Sequence, residues 1–199
     1  MLKELILRNR SYRRFNENEQ IAINDLINFV DLARNSPSPR NQQVLKYLIF
    51  NNVVDNIKIF PLIGWASALP NWEGPIEGER PSAYIIILGD NSLITENTSN
   101  YFEVSYGIVA QSILLGATEK KYGGCIIANI KRKQLREVFN IDIKFEILSI
   151  IALGKPIETV VLEEITTQEN YNYWRDENQV HHVPKRNLNE IILNINKPD

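Results

Sequence analysis

The order of apolar and polar residues along the chain predicts a mixture of helices and buried strands. Apolar residues recur at helical spacing from Leu2 to Asn9 and over EQIAINDLINFVDLARN, so we expect two amphipathic helices there, the second running to about Asn35. Three runs of apolar, β-branched and aromatic residues predict buried strands: VLKYLIF, SAYIIILGD and FEILSIIALGKP.

The remaining segments complete the prediction of one α+β domain over residues 1–199. The segment from about Asn100 to Lys121 carries many small residues, which let neighbouring backbones approach, and we expect it to be the central helix of the core. GGCIIANI is predicted to be a strand or turn, KRKQLREVF a short basic helix, and a last amphipathic helix is predicted to start near Asn187. SPSPRNQQ is expected to be a loop, because its two prolines remove backbone donors and fix φ.

Composition and charge exclude several classes of function. The chain has 199 residues, of which 44% are hydrophobic and 23% charged, and its formal net charge is −2. A near-neutral chain argues against nucleic-acid binding, which usually shows as an excess of positive charge. We see no secretory signal and no uncharged apolar segment of membrane-spanning length. The expectation is a cytoplasmic protein with neither nucleic-acid nor membrane partners.

The chain lacks the patterns of several familiar active sites. Neither the GxxxxGK[ST] nor the GxGxxG phosphate loop occurs. His181 and His182 are adjacent and have no third histidine to complete a ligand set, so we expect loop histidines with local hydrogen bonds and no metal site. Cys125, the single cysteine, lies in an apolar run and is expected to be a core residue and not a nucleophile.

Three polar segments between apolar elements remain as candidates for chemistry. They are RNRSYRRF, SPSPRNQQ and HHVPKRNLNE, and together they offer hydroxyl, amide, guanidinium and ammonium groups. Arginine grips phosphate through bidentate, charge-assisted hydrogen bonds, so these segments suit an anionic cofactor that carries its own chemistry. The alternative is that the arginines form a solvated face and that SPSPRNQQ is merely a turn.

These segments, in this order and spacing, resemble the FMN-dependent nitroreductase family over nearly the whole chain. NRSYRRF is similar to that family's first cofactor motif, and LARNSPSPRNQQ to its second. YGGCIIANI resembles the glycine-rich turn and strand that pass the flavin ring, ALGKP the family's usual strand end, and VPKRNLNEII its basic pair before the last helix. The tail YWRDENQVHHVPKR resembles one bacterial and archaeal branch of the family.

The resemblance implies a fold and a reaction. The fold is α+β, with a mixed, mostly antiparallel sheet flanked by helices, and two chains form an intertwined homodimer with FMN at the interface. The reaction is ping-pong hydride transfer, in which NADH or NADPH reduces FMN and a nitroaromatic, quinone or similar small molecule is then reduced. No side chain is implied as a catalytic acid or base, because the flavin carries the chemistry.

Carried over residue by residue, the resemblance implies a set of cofactor-binding positions. Arg10 would favour the phosphate, Arg13 would reach the N1/O2 edge of the flavin ring, and backbone groups of Ala128 and Asn129 would face the flavin. Arg8 and Arg14 match no binding position, so we interpret them as part of a solvated face. The full set of implied positions is Arg10, Ser11, Arg13, Ser38, Asn41, Gln43, Ala128, Asn129, Lys185 and Arg186.

Two departures from the family pattern leave alternatives open. Asn9 stands where the first motif has its first arginine, and Val44 replaces the proline of the usual Pro-Trp pair.

The segment around Trp65 and Trp72 would either cap the flavin or be a surface loop pinned by its aromatic residues. The functional alternatives are a protein of this fold with different chemistry, a non-catalytic FMN-binding or sensing protein, and an RNA- or anion-binding module.

Overall fold

The chain divides into two compact units in a computed structural model, which describes residues 1–69, 72–94 and 101–194. Unit 1 consists of Met1–Trp65 and Glu73–Ile157, and unit 2 consists of Ala66–Trp72 and Glu158–Asp199. No composition shift in the sequence indicates this division, and the prediction of one domain over residues 1–199 stays a prediction. The two units are described one at a time.

Unit 1 is built on an antiparallel sheet whose longest strand pairs with three others. Its strands are β1 (Phe15–Asn16), β2 (Leu45–Phe50), β3 (Ala83–Asp90), β4 (Gly123–Ile127) and β5 (Phe145–Pro156). The order is β1-β5-β3-β2, and β4 also pairs with β5. All of these pairings are antiparallel. The three predicted strands are confirmed, and GGCIIANI forms a strand over its first five residues.

The continuous apolar runs of β3 and β5 exist because both faces of the sheet are covered. Every residue of β3 is buried, and Ile85 and Ile86 pair with Ile151 and Ile150 of β5. A strand that faces solvent on one side alternates apolar and polar residues, whereas a strand buried on both sides is apolar throughout. The pattern therefore predicted correctly that β5 is a central strand and that β3 is buried.

The helices of unit 1 are α1 (Leu2–Arg8), α2 (Ile23–Arg34), α3 (Val53–Ile59), α4 (Tyr101–Glu119) and α5 (Arg132–Phe139). Helices α2 and α4 supply buried residues to the core beside the sheet. The predicted start of the central helix at Asn100 lies outside the described residues. Gly116 lets α4 approach α2, since a Cβ atom there would lie 2.6 Å from Leu32 Cδ1. The small residues of α4 thus serve the close packing that the sequence indicated.

Helix α3 is an element that the apolar pattern did not predict. Asn52 caps it, because its side-chain oxygen accepts a hydrogen bond from the Asp55 N–H at 2.9 Å. Its apolar residues do not form an inward stripe, since Val53, Val54 and Ile57 are 59%, 65% and 59% exposed. A helix whose apolar residues face outward shows no core-facing periodicity for sequence analysis to detect.

The solvated-face interpretation of Arg14 is wrong. Its guanidinium forms a bidentate pair with Glu79, with Nε and Nη2 at 2.7 and 2.5 Å from the two carboxylate oxygens. The Phe15 N–H also donates to the Glu79 carbonyl at 2.9 Å. Arg8 donates from Nη2 to the Thr118 carbonyl at 3.0 Å, so it also holds a structural contact. Both arginines therefore fix the chain that carries the first polar segment.

Unit 2 contains a small three-stranded sheet followed by a short helix. Its elements are β6 (Val160–Ile165), β7 (Trp174–Arg175), β8 (His181–Arg186) and α6 (Leu188–Ile191). β8 pairs parallel with β6 and antiparallel with β7. Asn187 caps α6 by accepting the Glu190 N–H at 3.3 Å, so the predicted helix start is correct. No helix in the described part of the chain is long and apolar enough to span a bilayer.

His181 and His182 lie in a strand, so the prediction of loop histidines is wrong. The His181 side chain is 1% exposed, and its ring lies 5.2 Å from that of Tyr173. The His182 ring stacks on Trp174 with centroids 4.0 Å apart. Its Nδ1 atom lies 2.6 Å from Glu163 Oε1, and its Nε2 atom lies 3.5 Å from Asp176 Oδ2. The local hydrogen bonding was predicted correctly, whereas the backbone conformation was not.

Asp176→Asn is expected to flatten the loss of stability in acid. Burial alone would raise the pKa of Asp176, but the Val180 N–H, the His182 ring and the Asn178 N–H outweigh it and lower the pKa below its ordinary value. A carboxylate with a lowered pKa stabilises the fold at neutral pH, and this stability is lost as the pH falls through the folded-state pKa. Melting temperatures measured between about pH 5 and pH 2 should therefore fall less steeply in Asp176→Asn than in the parent chain. Parallel curves for the two proteins would contradict this.

Candidate functional site

The first polar segment is held against the glycine-rich strand β4. Ser11 forms a parallel bridge with Gly124, and the Tyr12 N–H donates to the Gly124 carbonyl at 3.1 Å. Gly123 permits this close packing, since a Cβ atom there would lie 2.4 Å from Tyr12 Cδ2. Two of the segments that the sequence singled out are thereby brought side by side.

The two arginines assigned to the cofactor differ in their surroundings. Arg13 is 8% exposed, and its Nη1 donates to the Ser11 carbonyl at 3.1 Å. Arg10 is partly buried, and its Nη2 donates to the Ile6 carbonyl at 2.7 Å. Burial lowers the pKa of the Arg10 guanidinium. The Arg10 Nε atom is buried without a hydrogen-bond partner in the described part of the chain, which is uncommon for a buried donor.

The second polar segment is a loop with an unusual backbone. Pro39–Asn41 form a 3₁₀ turn, and Arg40, Asn41 and Gln43 have φ angles of 50°, 56° and 51°. Residues with side chains rarely adopt positive φ, and such conformations persist where the surroundings hold them. The Ser38 hydroxyl contributes by accepting the Gln43 N–H at 2.9 Å. The Gln42 Oε1 atom is buried without a partner among the described residues.

Ser38 and Gln43 line a cleft between this loop, β2 and α4. The cleft holds about 630 Å³ of empty space, its open mouth included. Ser105 of α4 and Tyr47 of β2 also line it. Ser105 is 2% exposed and its Oγ atom has no partner in the described part of the chain. Burial raises the pKa of Tyr47 to about 12, so its hydroxyl stays protonated at neutral pH. Arg34 and Lys46 also line the cleft, so it presents positive charge together with neutral polar groups.

The remaining predicted positions lie after β4 and at the end of β8. Ala128 and Asn129 are exposed, and the Asn129 carbonyl accepts the Gly64 N–H at 2.9 Å. In unit 2, Lys185 and Arg186 are exposed, and the Arg186 guanidinium lies 5.8 Å from the Tyr171 ring centroid. These two cations therefore remain accessible to an anion within unit 2.

Three residues near the candidate site were missed by sequence analysis. Ser105, Gln42 and Tyr47 belong to the cleft or its loop, and each looks ordinary in the sequence. Ser105 was noted only as a small residue of the central helix, and its buried, unpaired hydroxyl depends on tertiary packing. Cys125, by contrast, is 6% exposed, as predicted for a core residue.

The two tryptophans of the segment between β2 and β3 have different surroundings. Trp65 is 8% exposed in unit 1, with its ring centroid 6.0 Å from that of Phe60. Gly74 packs on it, since a Cβ atom there would lie 2.6 Å from Trp65 Cδ1. Trp72 belongs to unit 2, where the Arg175 guanidinium lies 4.4 Å from its ring centroid. Trp65 is therefore a core residue of unit 1, as a ring that pins a surface loop would be.

Comparison with known proteins identifies the fold. Residues 81–155 match the model of the nitroreductase family. A nitroreductase family protein from Streptococcus pneumoniae TIGR4 has a similar structure with a TM-score of 0.69 and 17% identity, and the match covers 98% of this chain and 100% of that one. A nitroreductase family protein from Clostridium novyi NT is 22% identical with a TM-score of 0.63, over 78% of this chain and 86% of that one. No curated protein matches the sequence.

A third similar structure contains a cofactor. It is a candidate nitroreductase from Exiguobacterium sibiricum 255-15 in complex with FMN, with a TM-score of 0.66 and 16% identity over 79% of this chain and 89% of that one. The chain therefore has the nitroreductase fold, an antiparallel sheet flanked by helices. The resemblance predicted from the cofactor motifs is confirmed by the family model and by these structures.

Proposed function

We propose that this chain is an FMN-dependent oxidoreductase that takes electrons from NADH or NADPH and passes them to a nitroaromatic, quinone or similar acceptor. The observation that carries the proposal is the unmet hydrogen-bonding capacity of two motif segments. Arg10 Nε in the first segment and Gln42 Oε1 in the second are buried without partners among the described residues. Leaving buried polar atoms unpaired costs free energy, which a bound polar cofactor recovers.

The residues of the site fit the parts of FMN. A buried guanidinium donor at Arg10 suits the phosphate, because arginine and phosphate form charge-assisted hydrogen bonds. The hydroxyl and amides of Ser38, Asn41 and Gln43 suit the ribityl hydroxyls and the polar edge of the ring. Ser11 would hold the cofactor beside Gly124, and backbone groups of Ala128 and Asn129 would face the ring. Lys185 and Arg186 would close over the phosphate.

When bound, FMN supplies the ability to accept a hydride from a nicotinamide and to pass electrons to a second substrate. The protein supplies orientation and charge. Arg13 would provide positive charge at the N1/O2 edge of the ring. The positive-φ conformation of Arg40, Asn41 and Gln43 would fix the polar groups of the second loop before the cofactor arrives. A general acid or base is not required if the substrate takes its protons from water.

We also propose that the protein is a homodimer whose interface includes the outer face of α4. Val104 is 46% exposed there, and a Cβ atom at Gly107 would meet no other atom within 4 Å. Gly107→Leu is therefore expected to fold as a monomer and to weaken the dimer, because the added side chain fills space that a second chain would occupy. Analytical ultracentrifugation measures this as a shift from twice 23.0 kDa towards 23.0 kDa. An unchanged dimer would exclude this face.

The first test of the proposed function is an absorbance scan of the freshly purified, untagged protein from about 300 to 550 nm. We expect two flavin bands, and release of FMN on heat denaturation. Addition of NADH or NADPH should bleach the bands, and a quinone or nitroaromatic acceptor should restore them. Bleaching without recovery by any acceptor would favour a non-catalytic FMN-binding protein. A colourless protein that takes up no added FMN would overturn the proposal.

A further inference from the structure

Gly64 lies against Asn129, one of the positions that the proposed function assigns to the flavin. The Gly64 N–H donates to the Asn129 carbonyl at 2.9 Å. The neighbouring residues continue this contact, because Ile63 and Ile130 form an antiparallel bridge and are each 8% exposed. This short ladder lies within unit 1 and fixes the backbone of Asn129 from one side.

The side chain of Asn129 occupies the space that Gly64 leaves. A Cβ atom at Gly64 would overlap Asn129 Nδ2, and it would lie 2.8 Å from Asn129 Cγ and 3.3 Å from Asn129 Cβ. These are the three nearest atoms, so this one side chain fills the space. Non-bonded carbon atoms prefer separations of about 3.5 to 4.0 Å. Any residue other than glycine at position 64 would therefore push the Asn129 amide away.

The backbone at Gly64 does not itself require glycine. Its φ angle lies outside the left-handed region, whereas Gly74 and Gly78 have φ angles of 128° and 87°. Glycine is needed for conformation where φ is positive, because a side chain is strained there. Gly64 meets no strain of that kind. What it provides is room for the Asn129 side chain.

The backbone of Ala128 and Asn129 has an open side. Both residues are exposed, and β4 ends before them at Ile127, which pairs with Ile150. The N–H groups of Ala128 and Asn129 donate to no carbonyl in the described part of the chain. These are the backbone groups that would face the flavin ring in the proposed function.

The position of the Asn129 side chain decides how open that side is. A side chain has three staggered positions about its first bond, and Asn129 uses the one that lies over Gly64. If that position is blocked, the amide of this exposed residue turns into solvent. In the proposed function, part of that solvent-filled space is where the flavin ring would lie.

We propose that Gly64 is a positioning residue for the flavin: its N–H holds the Asn129 carbonyl, and its missing side chain lets the Asn129 amide lie away from the ring. This inference rests on the proposed function, since it concerns how FMN meets residues 128 and 129. Gly64 does not touch the ring and acts through Asn129. A larger residue at position 64 turns the Asn129 amide towards the ring, so FMN binds more weakly and in an altered orientation.

Gly64→Ala is the first variant to test. The protein should fold with a Tm within about 2 °C of the parent chain, because only the end of one exposed side chain has to move. The FMN affinity of the full-length protein, measured by equilibrium dialysis, should fall about tenfold, and the visible circular dichroism of the bound flavin should change. An unchanged affinity with an unchanged spectrum would overturn the proposal. A parent chain that takes up no FMN would overturn the proposed function itself.

Asn129→Ala provides a rescue that a merely structural role would not give. It removes the two side-chain atoms that lie nearest to the new Cβ atom and leaves only the Asn129 Cβ position, at 3.3 Å. In the Asn129→Ala background, Gly64→Ala should therefore change the FMN affinity by less than about twofold. A tenfold loss in both backgrounds would show that Gly64 does not act through Asn129, and the proposal would fail.

Ile63→Val is the matched control on the same ladder. It removes one buried methyl group, so the Tm should fall by about 2 to 4 °C, whereas the FMN affinity should stay within about twofold of the parent chain. If Ile63→Val lost as much FMN affinity as Gly64→Ala, general loosening of the ladder would explain both results, and Gly64 would have no positioning role.

Discussion

Gly124→Ala is expected to lower the free energy of unfolding by about 3 kcal/mol and to abolish retention of FMN. The new Cβ atom would lie 2.5 Å from the Ala152 carbonyl oxygen, which is a backbone atom of the neighbouring strand and cannot turn away. The strand β4 must then shift, and with it the bridge to Ser11 that holds the first cofactor motif. Urea denaturation followed by fluorescence measures the first effect, and the flavin content of the purified protein measures the second.

Ile126→Ala is the matched control on the same strand. Its side chain is 40% exposed, so its removal should cost under about 1 kcal/mol and leave the flavin in place. Equal losses in the two variants would show that β4 tolerates no change at all. An unaltered stability in Gly124→Ala would contradict the prediction, because it would show that β4 has space for the added Cβ atom.

Arg13→Ala is expected to weaken FMN binding strongly and to lower the reduction potential of the bound flavin. In the proposed arrangement its guanidinium stabilises the negative charge that the ring gains on reduction. A pair of charges about 4 Å apart at an effective dielectric of about 20 is worth roughly 4 kcal/mol, which corresponds to about 90 mV for two electrons. Potentiometric titration of the reconstituted protein measures the shift, and equilibrium dialysis measures the affinity.

Two companion variants separate charge from structure. Arg13→Lys keeps the positive charge, so it should recover most of the potential although it loses the planar donor group. Arg14→Ala removes the neighbouring arginine, which pairs with Glu79, and should lower stability without changing the potential. A potential that stays constant in Arg13→Ala would remove this residue from the proposed role.

The sequence predicted the centre of the fold because the centre is where local pattern and tertiary packing agree. The strands β3 and β5 are largely apolar since their central residues are buried, and α4 carries small residues since other elements approach it closely. The loop of Ser38 was also predicted, because proline restricts the backbone locally. What could be predicted was therefore what a short window of residues determines.

The features that were missed depend on residues far apart in the chain. Arg14 and Glu79 pair across the fold, and nothing near Arg14 in the sequence distinguishes it from a solvated residue. His181 and His182 belong to a strand because β6 and β7 pair with β8, although the segment itself is polar. The positive φ angles of Arg40, Asn41 and Gln43 occur in residues other than glycine, so sequence analysis did not predict them.

The position of β5 in the sheet has a consequence for biosynthesis. This strand pairs with β1, β3 and β4, which all precede it in the chain. They are therefore synthesised before they can pair with β5. Until β5 has emerged from the ribosome, the apolar β3 has an open edge, and such edges pair readily with other chains. Long-range pairing of this kind also slows folding. We therefore expect nascent chains that stop short of β5 to depend on chaperones, and synthesis of β5 to release them from that dependence.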